Sequence, residues 1–220
     1  LLKMLAVLLE NRVVSGKQAL EIFEPNLADE PMLRGALHKA VSSPSKSILF
    51  NIDQKADITS KDAPDALLSV FQKVFDEACG YYGKLAHIAQ FERTLDDQGL
   101  FDKFKKAFAD LAAKPWEVGR EQALLERKNI DGAFAVITGT DASETQDVLG
   151  KFREDTRVSI EDFAKSVKDW IDQQGANFRL NFFVDEVGQY IADNVKLMTN
   201  LQTVAESLNT KCRGQAWIIV

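Results

Sequence analysis

The chain has 220 residues, 45% hydrophobic and 27% charged, close to the globular average, which argues against intrinsic disorder, collagen-like repeats and coiled-coil monotony. At this length roughly 70% of the unfolded chain's surface is buried on folding, so a disulfide framework is unnecessary. Lys and Arg number 27 against 33 Asp and Glu, a net charge of −6, so only a local basic patch could attract nucleic acid or an anionic membrane. Cys79 and Cys212 lie far apart and neither belongs to a CxxC, which argues against a redox centre or a zinc ribbon and fits a reducing cytoplasm. His38 and His87 are equally isolated, so the ligands of a zinc or haem site are lacking. No apolar run approaches the ~20 residues needed to span a bilayer.

Leu1 to Leu9 lacks the initiator Met, basic leader and cleavage site of a signal peptide and reads as a buried helix, apolar on nearly every face. It starts without a cap or polar lead-in, and Gly214 to Val220 reads as a turn followed by a fully buried strand. Together these lead us to expect a fragment whose sheet continues in a longer protein. After the first helix, Val13 to Gly16 breaks the pattern, and a short helical stretch from Gln18 to Phe23 ends at Pro25. Asp29 reads as the N-cap of a helix through Met32, Leu33, Leu37 and Val41, closed by Ser42-Ser43-Pro44. Lys46 to Asp53 is a compact apolar run between turn signals, an interior strand with a polar carboxyl edge.

From Gln54 to Asn177 the pattern is almost wholly helical. Leu67, Phe71, Val74, Phe75 and Ala78 form a core stripe begun near Pro64 and closed at Gly80, and Phe101, Phe104, Phe108 and Leu111 repeat that spacing. Pro115 resets the chain before a helical run from Trp116 to Arg127. Ala133 to Thr138 could be strand by composition and is assigned to helix for want of a partner. Ser159 and Asp162 form a capping box, with Val158 and Phe163 as its staple, ahead of the stripe Phe163, Val167, Trp170 and Ile171. The period then changes: Phe178 to Val184 is a strand, and Val187 to Leu208 marks one long helix running to Gly214 and the last strand. The outcome is an α/β fold with parallel strands near residues 47–52, 179–184 and 216–220 and a helical insertion between the first two.

Ligands of parallel α/β sheets sit at the carboxyl ends of the strands, where Asp185 and Glu186 stand. An acidic pair after buried apolar residues is the Walker B arrangement, in which the Asp holds Mg²⁺ on nucleotide phosphates and the Glu polarises water. The same pair also serves as a start to a helix. A Gly-Lys-Ser/Thr loop is absent from these residues. Asp53 reads as a turn former, Lys103, Lys105 and Lys106 as a solvated helix face, and Arg213 as a cation complementing a helix C-terminus. His38 and His87 have no triad partners at recognisable spacing.

The run Leu1-Leu2-Lys3-Met4-Leu5-Ala6-Val7-Leu8-Leu9-Glu10-Asn11 resembles the helix directly after the Walker A loop in the P-loop ATPase of BREX bacteriophage-exclusion systems, the BrxC/PglY type. Ile48 to Asp53, Asn181 to Tyr190 and Gly214 to Val220 resemble, in turn, its next strand, its Walker B strand and the strand that leads to its sensor. The resemblance implies an AAA+-like P-loop NTPase with a three-layer core and a large, mostly helical insertion. Residues 1–53 would run from first helix to second strand, 54–177 would form the insertion, and 178–220 would carry the Walker B strand, a helix and the sensor strand; Walker A would lie before residue 1. It implies ATP and Mg²⁺ as cofactors, Asp185 as the metal residue and Glu186 as the catalytic, water-activating residue. It further implies a cytoplasmic homo-oligomer acting with a DNA methyltransferase and other BREX components on DNA, away from membranes. The alternatives are an origin-recognition-like or signalling ATPase, and a non-enzymatic helical interaction scaffold.

Overall fold

The computed structural model describes residues 1–56, 65–141, 144–156 and 159–220. It opens with α1 (Leu2–Leu9), the short strands β1 (Val13–Val14) and β2 (Lys17–Gln18), α2 (Ala19–Phe23) and α3 (Pro31–Val41). Then come β3 (Ser45–Asn51) and α4 (Ile52–Lys55). Helices follow: α5 (Ala66–Cys79), α6 (Ala86–Asp97), α7 (Phe101–Ala112), α8 (Trp116–Gly119), α9 (Arg127–Thr138), α10 (Val148–Asp155) and α11 (Ile160–Gln173). The chain ends with β4 (Arg179–Asp185), α12 (Val187–Ile191), α13 (Val195–Lys211) and β5 (Ala216–Ile219). Two compact units result, one of Leu1–Val74 with Val158–Val220 and one of Phe75–Arg157.

In the first unit the strands run parallel in the order β3-β4-β5. Five consecutive residues of β4, Leu180 to Val184, are buried, as an apolar strand between two neighbours requires. Ile48 and Ile218 flank Phe182 in register, and Phe50 lies opposite Val184. On that face Phe71 of α5 meets Phe50 and Phe182 edge-on, each at 5.5 Å between ring centres, and Phe163 of α11 joins them. Each such pair contributes about 0.5–1.5 kcal/mol beyond the area it buries. α13 packs on α11 and β5, and its terminal Cys212 thiol lies 3.9 Å from the Ala164 carbonyl, fully buried. Burial pushes that thiol up to about 11. The opposite face of the sheet receives α1: the Ser45 hydroxyl donates to the Leu9 carbonyl at 2.9 Å, and the Glu10 carboxylate accepts from the Ser47 N–H. Helices therefore cover both faces of a parallel sheet, an α/β arrangement that is mostly helical.

Several expectations are corrected. α1 is not enclosed: Ala6 and Leu8 are buried, whereas Leu1 and Met4 are exposed, because α1 contacts the sheet along one side only. β3 is an edge strand among the described residues, with Leu49 exposed, and it stops at Asn51 rather than Asp53 because the Asn51 side chain accepts from the Gln54 N–H and caps α4. β5 is not covered on both faces, since Trp217 is 53% exposed. The stretch after β4 is two helices, not one. Ala192 breaks it with φ 44°, and Asn194 restarts it by accepting from the N–H groups of Lys196 and Leu197. The buried face of α13 is accordingly Leu197, Val204 and Leu208, while Met198 is exposed. Glu30 rather than Asp29 occupies the N-cap of α3, with Pro31 at the first helical position. Val13 to Gly16 is a tight hairpin rather than a plain break. Ser15 (φ 52°) and Gly16 (φ 83°) make its turn, whose positive φ values match the strand twist.

The second unit packs Phe91, Phe104, Phe108 and Trp116 as a ring cluster with Ile88, Leu95 and Ile130. Trp116 to Arg127 is not one helix. α8 ends at Gly119, where a Cβ would stand 2.3 Å from Phe108, and the next residue, Arg120, turns in to the buried Glu92 at 2.9 Å. Glu92 also accepts from the Tyr82 N–H and the Trp116 indole N–H, each at 2.6 Å, which satisfies a fully buried carboxylate. In α7 Phe104 and Phe108 are core, but Leu111 is exposed. Ala133 to Thr138 lies in α9, as assigned. The Ser159 cap of α11 is present, its hydroxyl accepting from the Asp162 N–H at 3.1 Å. Pro64 and Val158, named above for a helix start and a staple, lie outside the described residues.

Removing a ring from the centre of the sheet should cost far more than removing one from its edge. Phe182→Ala should lower stability by about 3–5 kcal/mol and Trp217→Ala by about 1 kcal/mol or less, measured by urea unfolding followed by far-UV circular dichroism.

Candidate functional site

Parallel strands leave the carboxyl ends of β3 and β4 side by side, and the last register pair is Asn51 opposite Asp185. The short helices that leave these ends, α4 and α12, pack on each other, anchored by the buried Ile52, Tyr190 and Ile191. A cavity of about 540 Å³ lies at this edge, lined by Leu1, Leu2 and Lys3 from the start of α1 and by Leu49, Asn51 and Asp185 from the strand ends. The fold thus brings the first turn of α1 and the exposed carboxylate of Asp185 to one opening.

The two sides of the cavity are electrically unlike. The first turn of α1 lies on one side of it. That turn contains no acid and instead carries Lys3. Asp185 supplies the negative side; one of its carboxylate oxygens, Oδ1, accepts from the Glu186 N–H at 3.0 Å. A carboxylate facing a lysine suits a hydrated Mg²⁺ on phosphate, because Mg²⁺ takes only one or two carboxylates from the protein and keeps several waters. Among the described residues no group of three or more His, Cys, Asp or Glu is placed to hold a metal by itself.

Glu186 is exposed and follows directly on Asp185, but it is not part of the cavity lining. Its backbone is left-handed (φ 63°, ψ 22°), and it occupies the N-cap of α12 without a side-chain capping bond. The pair does precede a helix, as the helix-start reading expects, though without a side-chain cap, and a non-Gly residue with left-handed backbone stands at the carboxyl edge of the sheet. Asp53 is the second residue of α4, and Arg213 is exposed just after α13. Lys103 and Lys106 are exposed on α7, and Lys105 pairs with Asp102 at 2.7 Å. His38 bonds Glu24 at 3.0 Å, whereas His87 is buried beside Arg153. None of these seven residues is among those lining the cavity. Sequence reasoning missed Lys3 and Asn51 as site residues; the signals were a basic first turn without acids and an amide at a strand's carboxyl end.

The left-handed backbone at Glu186 gives a stability test. Glu186→Gly should stabilise the protein by about 1 kcal/mol, a rise of a few degrees in Tm by thermal unfolding, because glycine adopts this conformation without steric cost. No model of a known protein family matches this chain and no solved structure matches it, so the site stands on its own chemistry.

Proposed function

We propose that this chain is the middle of an ATP-binding and ATP-hydrolysing P-loop core, of the AAA+-like kind that its sequence resembles in BREX phage-defence ATPases. The observation that carries the reading is the cavity shared by the first turn of α1 and Asp185 at the carboxyl edge of a parallel sheet. On this reading the Gly-rich phosphate loop precedes Leu1, and the N–H groups at the start of α1, with Lys3, favour the phosphate charge. Asp185 offers its carboxylate to Mg²⁺, and Glu186 accepts a proton from the attacking water through its side-chain carboxylate. Bound Mg²⁺ would neutralise charge on the phosphates. The strained backbone of Glu186 is consistent with a residue kept for its chemistry rather than for local stability.

The cellular role follows from the resemblance alone: nucleotide turnover by a cytoplasmic homo-oligomer, coupled to assembly on or modification of DNA together with a methyltransferase and other BREX components. Among the described residues no helix is long and apolar enough to cross a membrane.

In the protein as its gene encodes it, Glu186→Gln should leave Mg-ATP binding largely intact and lower kcat by about 10²–10⁴-fold. Asp185→Ala should weaken Mg²⁺-dependent binding itself. Steady-state phosphate release and calorimetric Mg-ATP titration read the two effects separately. Hydrolysis at the parent rate by both variants would show that the pair only starts a helix, and the interaction-scaffold alternative would take its place.

A further inference from the structure

The helical unit holds a second cavity, of about 430 Å³, bordered by α6, the 120–125 turn, α9 and α10. Leu85, Ile88, Ile130 and Leu149 give it apolar walls, and its volume falls within the range of roughly 300–1,000 Å³ typical of small-molecule sites. Charged groups complete the lining, and nearly all of them have partners within the protein. The Glu121 carboxylate accepts from Lys84 Nζ at 2.7 and 2.9 Å and from the Tyr82 hydroxyl at 2.7 Å, and these bonds hold it below the usual carboxylate range. Asp131 accepts from the N–H groups of Asp147 and Val148, each at 2.9 Å, and so caps α10. Asp147 lies 3.4 Å from Arg127, which also reaches Asp131 at 4.0 Å. Arg120 is held by Glu92 and stacks over the Tyr82 ring at 5.1 Å.

One charge is left over. Arg153 meets no carboxylate among the described residues, and its neighbour is Nε2 of His87 at 3.4 Å. His87 is buried, and burial first, then the Arg153 charge, press its pKa below the ordinary histidine value; in either protonation state its ring offers Arg153 no negative charge. The Nε of Arg120 is also buried without a hydrogen-bond partner. The exposed Arg153 guanidinium, with no carboxylate beside it among the described residues, at the rim of a largely apolar cavity, matches an apolar molecule with a single negative charge. A polyanion would instead meet Glu121, Asp131 and Asp147.

We propose that this cavity binds a small organic monoanion, its apolar body against Leu85, Ile88, Ile130 and Leu149 and its carboxylate on Arg153. Its described lining residues fall within 85–153, and the proposal does not depend on the nucleotide reading.

The test is calorimetric titration of octanoate into the whole chain, beside octanamide, which keeps the body and loses the charge, and beside Arg153→Gln and Arg153→Lys. Octanoate should bind saturably at one site per chain. Octanamide on the parent protein, and octanoate on Arg153→Gln, should each bind about tenfold or more weakly, while Arg153→Lys should recover part of the affinity. Arg153 is exposed on α10, so circular dichroism of the variants should match the parent. Absence of saturable octanoate binding, equal affinity for octanamide, or unchanged affinity in Arg153→Gln would each overturn the proposal.

Discussion

The first unit depends on a single strand that has no surface of its own. β4 is paired on both edges from Leu180 to Phe183 and buried from Leu180 to Val184. A strand in that position obliges its neighbours to satisfy its backbone and obliges helices to cover each side, because water reaches neither. The aromatic contacts among Phe50, Phe71, Phe163 and Phe182 cover one side, and the polar contacts of α1 with Ser45 and Ser47 cover part of the other. Burying each of the large side chains contributes about 1.5–3 kcal/mol, so β4 with its ring partners supplies a large share of the gross stabilisation of this unit. The same constraint fixes where polarity returns. The first exposed residue after the buried run is Asp185, and parallel pairing sets it beside Asn51.

On the proposed reading, the sheet edge complements a divalent ion carried on an anion. A carboxylate alone would attract a cation, and a lysine alone would attract an anion. Placed on one cavity, they complement an ion pair rather than either partner. The helical unit handles charge in the opposite manner: Glu92 is sealed inside among N–H donors and Arg120, and the lining acids of its cavity are each matched locally. What distinguishes the two cavities is which charges remain unmatched.

The three strands of the parallel sheet, unlike the β1–β2 hairpin, were legible in the sequence because they are short apolar runs bounded by polar residues, and a parallel sheet needs little more than that signal. Asp185 was legible for the same reason, as the polar end of such a run. The Ser159 cap was visible because its side chain acts within three residues. What escaped was non-local. Whether α1 is enclosed depends on what packs over it, and its even apolar composition gives no face to choose. The division of α12 from α13 turns on a left-handed alanine, for which composition gives no warning, although Asn194 was a cap in plain sight. The inward turn of Arg120 is set by Glu92, 28 residues away. Lys3 and Asn51 gained meaning only when the fold placed them beside Asp185.

The buried Cys212 thiol has a use beyond packing. It sits at the end of α13 against α11, fully enclosed, with its ionisation suppressed, so an alkylating reagent can reach the thiolate only when α13 lifts from its seat. Cys79, only half-buried at the end of α5, lies in the other unit. Modification of Cys212, referenced in one experiment to the more accessible Cys79, therefore times the opening of the sheet-bearing unit without any engineered label.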